Sequence, residues 1–545
     1  MAKNTISLCM IVKNEEAHLQ RCLESIKDTV DEIIIVDTGS TDNTVQIAKS
    51  YKAKIITKPW KSDFASARNA GLSMASGSWI LILDADEELD ENHRKELKIC
   101  AEHHELDGFF LQIHNHSGNS IHSPVSTINP IVRMFRNDPH HRFRGKIHEQ
   151  IAYSIVERNP NPALHITNIV IHHYGYEEQL VIQKDKIRRN LDLLMQSLQE
   201  EPDDPFHHYN IAVEHMRVNN YESALPYLQT SLSLVNHEVS YTHLLYKYKA
   251  RCLFALGRQF EAIQTCESGI RLFPDYPDLF HIKAVIHSNS GDKTLAKDAF
   301  LQAIQIGTAP MQYHTDSGIG TFLSTYGLGQ VYEETGEDDH AIHWYAETVK
   351  HNSQLSRPLQ RIFRMLKCTG SESMIPPLLS ERFSIKTPDA VLKVVNLLIE
   401  ESCYTAALSL LTSLNHETYQ QVRDEKIKIC QLLSGQKQKN IRYWIGSDEP
   451  EIERSIMAGN TYDQFELAVK SAYYNGHHGK ALELLRNWPL PIIMTDPKAM
   501  QDEGYQRSRL WMALANAKIG VPDKHSPNYK LLRLAKLSLP LSRGY

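Results

Sequence analysis

The sequence predicts two architectures in one chain: a mostly parallel α/β sheet domain up to about residue 176, followed by an all-helical array. Three observations predict this. In the first part, short β-branched runs alternate with amphipathic stretches. Those runs are almost continuously apolar, as strands covered on both faces must be. After about residue 203 the alternation stops, helical spacing takes over and one segment recurs.

The expected strands are Ile6–Val12, Glu32–Val36, Lys54–Thr57, Trp79–Leu83, Gly108–Ile113, Ile131–Phe135 and Ile166–His172. Between the first two, Leu19, Cys22, Leu23 and Ile26 fall at helical spacing within residues 17–27. Residues 177–202 read as a linking helix, with Leu180, Ile187, Leu191, Leu194 and Leu198 on one face. Glu201-Pro-Asp-Asp-Pro205 ends it.

The recurring segments are Tyr221–Leu228, Phe260–Cys266, Thr294–Phe300 and Asp339–Tyr345. They align on Ala224, Ala262, Ala296 and Ala341, at intervals of 38, 34 and 45 residues. Twelve residues before each alanine stands another small residue: Ala212, Ala250, Ala284 and Gly329. A bulky residue follows four later in three of them: Leu228, Phe300 and Tyr345. Small residues where two helices touch, at a period of about 34, resemble tetratricopeptide repeats. The 45-residue interval fits one repeat plus an eleven-residue insertion around Gly307–Gly320, with no strand expected there. Residues 203–352 are thus expected to stack into a solenoid with a concave binding face. Residues 353–545 should hold more worn helix pairs, around Tyr404–Leu411 and Phe465–Leu485, and a cap containing Trp444, Trp488 and Trp511.

Composition narrows the class. The chain has 545 residues, enough for three to four domains at about 150 residues each. With 42% apolar and 23% charged residues it is neither disordered, collagen-like nor a multispanning membrane protein. A net charge of −6 argues against bulk binding of nucleic acid or anionic membrane. Eight scattered cysteines without metal-ligand spacing read as reduced core thiols of a cytoplasmic protein. The short apolar run after Lys3 has no cleavage site behind it, and no run approaches the roughly 18 apolar residues of a membrane span.

Two acidic strand ends carry the chemistry. Ile33–Val36 runs into Asp37 and a Gly-Ser-Thr-Asp turn. A carboxylate there can accept hydrogen bonds from a base or ribose, because ligands of open α/β sheets sit at the carboxyl ends of strands. Asp42 fits the plainer role of capping the next helix. Trp79–Leu83 runs into Asp84-Ala-Asp86. On an extended strand these two carboxylates would point the same way, about 7 Å apart, and suit a divalent cation holding a diphosphate.

The segments Ile6–Glu16, Val36–Thr44 and Asp84–Asp86, in this order, resemble family 2 glycosyltransferases. The resemblance spans about residues 4–176 and implies a GT-A fold and a nucleotide-sugar donor, in a domain of residues 1–176. Within the family the chain is similar to bacterial enzymes that join this domain to tetratricopeptide repeats. Some of these, including the sublancin S-glycosyltransferase type, glycosylate peptides or proteins; others act on lipopolysaccharide core sugars.

The resemblance implies a role for each position. Asp37 would hydrogen-bond the nucleobase, most simply uracil, with Asn14 and Glu15 beside it. Asp84 would lie near the ribose, and Asp86 would bind Mn²⁺ or Mg²⁺. Trp60–Asn69 matches a segment of these enzymes, placing Arg68 near the nucleotide; the alternative for Arg68 is a salt bridge that holds the donor loop. In Phe143-Arg-Gly-Lys-Ile-His-Glu149, Gly145 and Glu149 occupy the places of the family's glycine loop and base. An inverting transfer needs one base to take the acceptor's proton. A structural alternative pairs Glu149 with Arg142, Arg144 or Lys146. His173, three residues before Tyr176, matches a late metal-binding histidine; a hydrogen-bonded core residue is its alternative. The pairs His103-His104, His114/His116 and His140-His141 read as surface or acceptor-loop residues.

The expected activity is therefore inverting transfer from a UDP-sugar to a peptide or protein side chain, with the acceptor held partly by the solenoid. The alternatives are extension of a surface glycan or lipopolysaccharide core, and a binding scaffold with an inactive transferase domain. Homodimerisation through the solenoid ends stays open.

Overall fold

The computed structural model describes residues 4–117, 124–174, 180–236, 239–414 and 416–433. The expected helix pair at Phe465–Leu485, Trp444, Trp488, Trp511 and Tyr176 lie outside these residues. The chain divides into two compact units, Met1–Val331 and Tyr332 onward.

The first unit opens with β1 (Ile6–Val12), α1 (Leu19–Ile26), β2 (Glu32–Asp37), α2 (Thr44–Ser50), β3 (Lys54–Thr57), α3 (Phe64–Leu72), β4 (Trp79–Ile82) and β5 (Glu87–Leu89). It continues with α4 (Arg94–Cys100), β6 (Gly108–His116), β7 (Val125–Arg136), α5 (Ala152–Arg158) and β8 (Leu164–Tyr174). The strand order is β3-β2-β1-β4-β7-β6-β8-β5. β1 lies inside the sheet, parallel to β2 and β4, and six of its seven residues are buried. That is why its sequence, Ser7 apart, is an apolar run. The inner face of α1, Leu19, Cys22, Leu23 and Ile26, is fully buried against the sheet. β7 joins antiparallel to β4 and β6, so the sheet is mixed at this side.

A linking helix α6 (Leu180–Glu200) leads to the helix pairs α7 (Pro205–Arg217) and α8 (Tyr221–Leu234), α9 (Thr242–Ala255) and α10 (Gln259–Leu272), and α11 (Pro277–Asn289) and α12 (Lys293–Ile306). The small residues found by alignment do meet in the interior. Ala212, Ala224, Ala250, Ala262, Ala284 and Ala296 all have zero exposure. Leu228 and Phe300, four residues on, are buried beside them. Beyond β9 (Thr315–Asp316), α13 (Phe322–Thr335) carries the chain into the second unit. That unit holds α14 (Asp338–His351), α15 (Arg357–Cys368), α16 (Ile375–Arg382), α17 (Pro388–Glu400), α18 (Tyr404–Ser413) and α19 (Gln420–Leu433). No helix among the described residues is long and apolar enough to cross a membrane.

β9 corrects the expectation that strands end before residue 203. The insertion between α12 and α13 reaches back and adds a strand to the first domain: Asp316 pairs with Thr127 and Thr315 with Ile128 of β7. β7 is twelve residues long. β4 pairs only its last residues, from Met134 to Arg136, so its other end is free to take β9.

The insertion is held by buried charge. Lys247 Nζ lies 2.6 Å from Asp278 Oδ1 and 2.9 Å from Asp316 Oδ1; neither the Lys247 nor the Asp278 side chain has any exposure. Asp278 also accepts from Thr315 Oγ1 (2.6 Å) and Asp316 N (3.2 Å). His243 Nε2 accepts from His314 N at 3.0 Å, and Tyr276 donates to the His314 carbonyl at 2.7 Å. Burial, joined by the charge of Lys247, pushes His243 down to about 3 and His314 to about 4; burial alone dominates at His281, also near 4.

Two outcomes follow for stability. Asp278→Ala takes from the buried Lys247 ammonium its closer and fully buried partner, leaving Asp316 alone, and should cost about 3 kcal/mol, read by denaturant unfolding. The three histidines are neutral when folded but bind protons near pH 6.5 when unfolded. The unfolded state therefore takes up more protons below that pH, and stability should fall as pH drops from about 6.5 towards 4. Thermal midpoints across that range check it, and a flat profile would contradict it.

Candidate active site

The carboxyl ends of β2, β1 and β4 lie side by side, since Val12 pairs with Asp37 and Cys9 with Ile82. Asp37 is buried at the end of β2, and its Oδ1 accepts from Ser40 N at 3.0 Å. Asn14, just past β1, takes a left-handed backbone (φ 57°), which asparagine tolerates better than most residues. Its Oδ1 accepts from Thr41 N at 2.8 Å, and its own N donates to Ser40 Oγ at 3.0 Å. Asn14 thus ties the end of β1 to the turn after Asp37. Asp42 stands one residue before Asn43, the N-cap of α2, whose own side chain caps nothing; Asp42 Oδ1 accepts from Thr44 N, the first residue of the helix, at 3.0 Å. Glu15 sits half-buried beside the other acids. Burial, then the charges of Asp86 and Asp84, push its carboxyl up to about 7.

Asp84 and Asp86 do not lie on an extended strand as expected. β4 ends at Ile82, and Asp84–Glu87 form a turn in which Glu87 N donates to the Asp84 carbonyl (3.1 Å). The turn carries Asp84 and Asp86 to different partners. Arg68 Nη2 donates to Asp84 Oδ1 at 2.8 Å, and Arg133 Nη2 reaches Asp84 Oδ2 at 3.3 Å. Burial would raise the Asp84 carboxyl, but the two guanidinium groups overcome it and hold it below the usual carboxylate range. Asp86 instead faces β8: its Oδ2 lies 3.3 Å from His173 Nε2.

The geometry at His173 bears on a metal. His173 Nδ1 lies 2.8 Å from Asn115 Oδ1. Asn115 is oriented by its amide nitrogen, which donates to Thr127 Oγ1 at 3.0 Å. The ring proton therefore belongs on Nδ1, and the Nε2 lone pair points at the Asp86 carboxylate. That arrangement needs a cation, either a proton on Nε2 or a metal ion. Burial would lower the His173 pKa; the neighbouring Asp86 carboxylate raises it instead. Both side chains are about one-third exposed, so an ion has access, and the donor set suits a divalent cation.

Arg68 joins the acid cluster to Glu149. It lies on α3, whose first turn is capped by Asp63 accepting from Ser66 N at 2.8 Å. Its Nε donates to Glu149 Oε1, and both side chains are about nine-tenths buried. The next residue on α3, Asn69, clamps the backbone of Phe143 with two hydrogen bonds of 2.8 and 2.9 Å. None of the neighbours weighed for Glu149 pairs with it: Arg144 goes to Glu157 and Lys146 to Glu200, while Arg142 donates to the His141 carbonyl.

Residues 7–156 match the model of glycosyl transferase family 2. A TPR repeat-containing protein of Synechococcus elongatus is 32% identical over 311 residues, spanning 55% of this chain and 75% of that protein. The chain belongs to family 2 of the glycosyltransferases. The prophage-derived glycosyltransferase SunS of Bacillus subtilis is also 32% identical, over 238 residues, covering 42% of this chain and 53% of SunS. Staphylococcus aureus TarS, solved with UDP-GlcNAc, overlaps 46% of this chain and 89% of that one at 17% identity and a TM-score of 0.30.

The family match runs from β1 to α5, and so takes in every acid of the strand-end cluster. Three residues in contact with this cluster escaped the sequence reading. Arg133 and Glu87 form a buried pair beneath Asp84, and Asn115 orients His173. A charged residue inside the apolar run Ile131–Phe135 was the available signal for Arg133. His116 and His141, expected at the surface or in the acceptor loop, are buried instead. His116 Nε2 meets His172 Nδ1 at 3.0 Å, and His172 Nε2 meets Asp90 Oδ2 at 3.0 Å.

Arg133→Met removes the cation from a buried carboxylate and loosens the Asp84 turn. It is expected to cost about 3–5 kcal/mol in denaturant unfolding. It should also weaken UDP binding by roughly tenfold, about 1.4 kcal/mol; wild-type UDP affinity in a folded variant would exclude this role.

Proposed function

We propose that the chain transfers a sugar from a UDP-sugar to a peptide or protein side chain, inverting the anomeric carbon, with Mn²⁺ or Mg²⁺ assisting. The observation that carries this reading is the placement of Asp37, Asp84 and Asp86 at or just beyond the carboxyl ends of β2 and β4, the two parallel strands that flank β1. Asp37 receives the nucleobase, and Glu15 and Asp84 line the donor's path. Arg68 holds Asp84 and Glu149 in one frame, which is the loop-holding role weighed for it above. Asp86 and His173 would hold the divalent cation. When bound, that cation would neutralise charge on the departing nucleoside diphosphate.

Glu149 takes the acceptor's proton. Its burial excludes bulk water, and its tie to Arg68 fixes its orientation before the acceptor arrives. The peptide acceptor is supported by the resemblance to peptide-glycosylating enzymes and by a cleft of about 720 Å³ beside this loop. Lys58, Ser66 and Gly145 line one side of the cleft, and Ser197, Glu201 and His207, from the start of the helical region, line the other.

A UDP-release assay over a panel of UDP-sugars, with and without candidate peptides, tests the reading. Release from one donor, stimulated by a peptide that gains the sugar's mass, is expected. Release without peptide stimulation would move the acceptor to a glycan. No release and no donor binding would leave a scaffold. Asp86→Asn should lower metal-dependent turnover by at least about 100-fold; unchanged turnover would remove Asp86 from the metal.

A further inference from the structure

The Glu149 loop is built on the helical region. Arg144 and Gln150 close it with reciprocal backbone hydrogen bonds of 3.1 and 2.9 Å. Inside the loop Gly145 has φ 99° and His148 has φ 53°. Histidine in the left-handed region costs energy, and such a conformation persists only where its surroundings over-determine it. Here α6 and α7 supply the surroundings. Ile147 is buried with Leu193, Leu194 and Ile211.

Against His148 stands Glu214 of α7, with no exposed surface. Its Oε1 accepts from Asn190 Nδ2 (3.1 Å) and Arg217 Nη1 (2.9 Å), and lies 3.8 Å from His148 Nε2. Among the described residues, Glu214 Oε2 and His148 Nε2 have no hydrogen-bond partner. A buried carboxylate between helices is a costly choice where an apolar residue would pack. The carboxylate and the ring nitrogen that faces it are complementary, and at 3.8 Å from Oε1 the nitrogen stands just beyond hydrogen-bond range.

We propose that Glu214 is a positioning residue for sugar transfer: it holds His148 in its left-handed conformation and so aims the Glu149 carboxylate at the acceptor. The solenoid is then part of the catalytic machinery as well as a surface for the acceptor. This rests on Glu149 as the base.

Transfer kinetics of the full chain test it, using E214Q, H148Q, their double variant and E149Q. E214Q keeps the size of the side chain but loses its charge. It should lower kcat by roughly 10- to 100-fold while donor KM stays within about twofold. H148Q probes the same contact from a half-exposed loop position and should fall by a similar factor. The double variant should be no slower than the slower single one, because both changes break one interaction. Wild-type kcat in either single variant, or losses that multiply in the double, would overturn the positioning role. Should E214Q fail to fold, wild-type kcat in H148Q alone overturns it, and a fall in H148Q supports it. E149Q separates the two readings. Wild-type kcat there overturns Glu149 as base, and the positioning role with it. Loss in E149Q beside wild-type kcat in E214Q overturns the positioning role alone.

Discussion

The site depends on one cation shared by two carboxylates. Arg68 is almost wholly buried, and it binds Asp84 on one side and Glu149 on the other. Neither Arg68 nor Glu149 would be cheap to bury alone, because a charge leaving water costs several kcal/mol. With Arg68 between them, the donor-side acid and the loop acid are placed relative to each other before any substrate binds. α3 is the beam that makes this work. Its cap at Asp63 fixes where the helix starts, which fixes where Arg68 and Asn69 point. Asn69 then clamps the backbone at Phe143, two residues before the glycine of the loop.

A second constraint joins the sheet to the helices that follow. Lys247 and Asp278 form a fully buried ion pair that the partly exposed Asp316 joins, and the same Asp316 lies on the strand that extends β7. β7 also carries Arg133, beneath Asp84, and Thr127, which orients Asn115 and through it His173. One strand therefore touches the helical insertion at one end and supports the acid cluster at the other. A helical array that merely hung from the transferase domain would need no such strand.

Burial explains what the sequence could show. β1, β2 and β4 were legible because strands covered on both faces must be apolar throughout, and they end at Asp37 and beside Asp84 where the apolar run stops. The helix pairs were legible because the close approach of two helices admits only small residues, and those recur in phase. β5 was not legible: it is three residues long, two of them glutamates, and only its pairing with β8 makes it a strand. β9 is two residues long, and nothing local marks it. The partner of Glu149 was invisible for a related reason. Sequence offers Arg142, Arg144 and Lys146 close by, whereas the cation that binds it stands 81 residues away. Asp84 and Asp86 were found, but their arrangement was misjudged, because a turn rather than a strand follows Ile82.

That turn has a functional consequence. On an extended strand both carboxylates would face one ligand. The turn separates their tasks: Asp84 is committed to two arginines and is held ionised, while Asp86 faces the His173 imidazole, with His18 also within reach of its charge, at a partly open edge. An acid neutralised by two guanidinium groups is a poor ligand for a further cation, since its charge is already spent. An acid with no guanidinium paired to it among the described residues keeps more of its charge for whatever cation arrives. The electrostatics therefore distinguish two aspartates that are equivalent in sequence, giving Asp84 to the protein's own framework and leaving Asp86 available to the proposed cation.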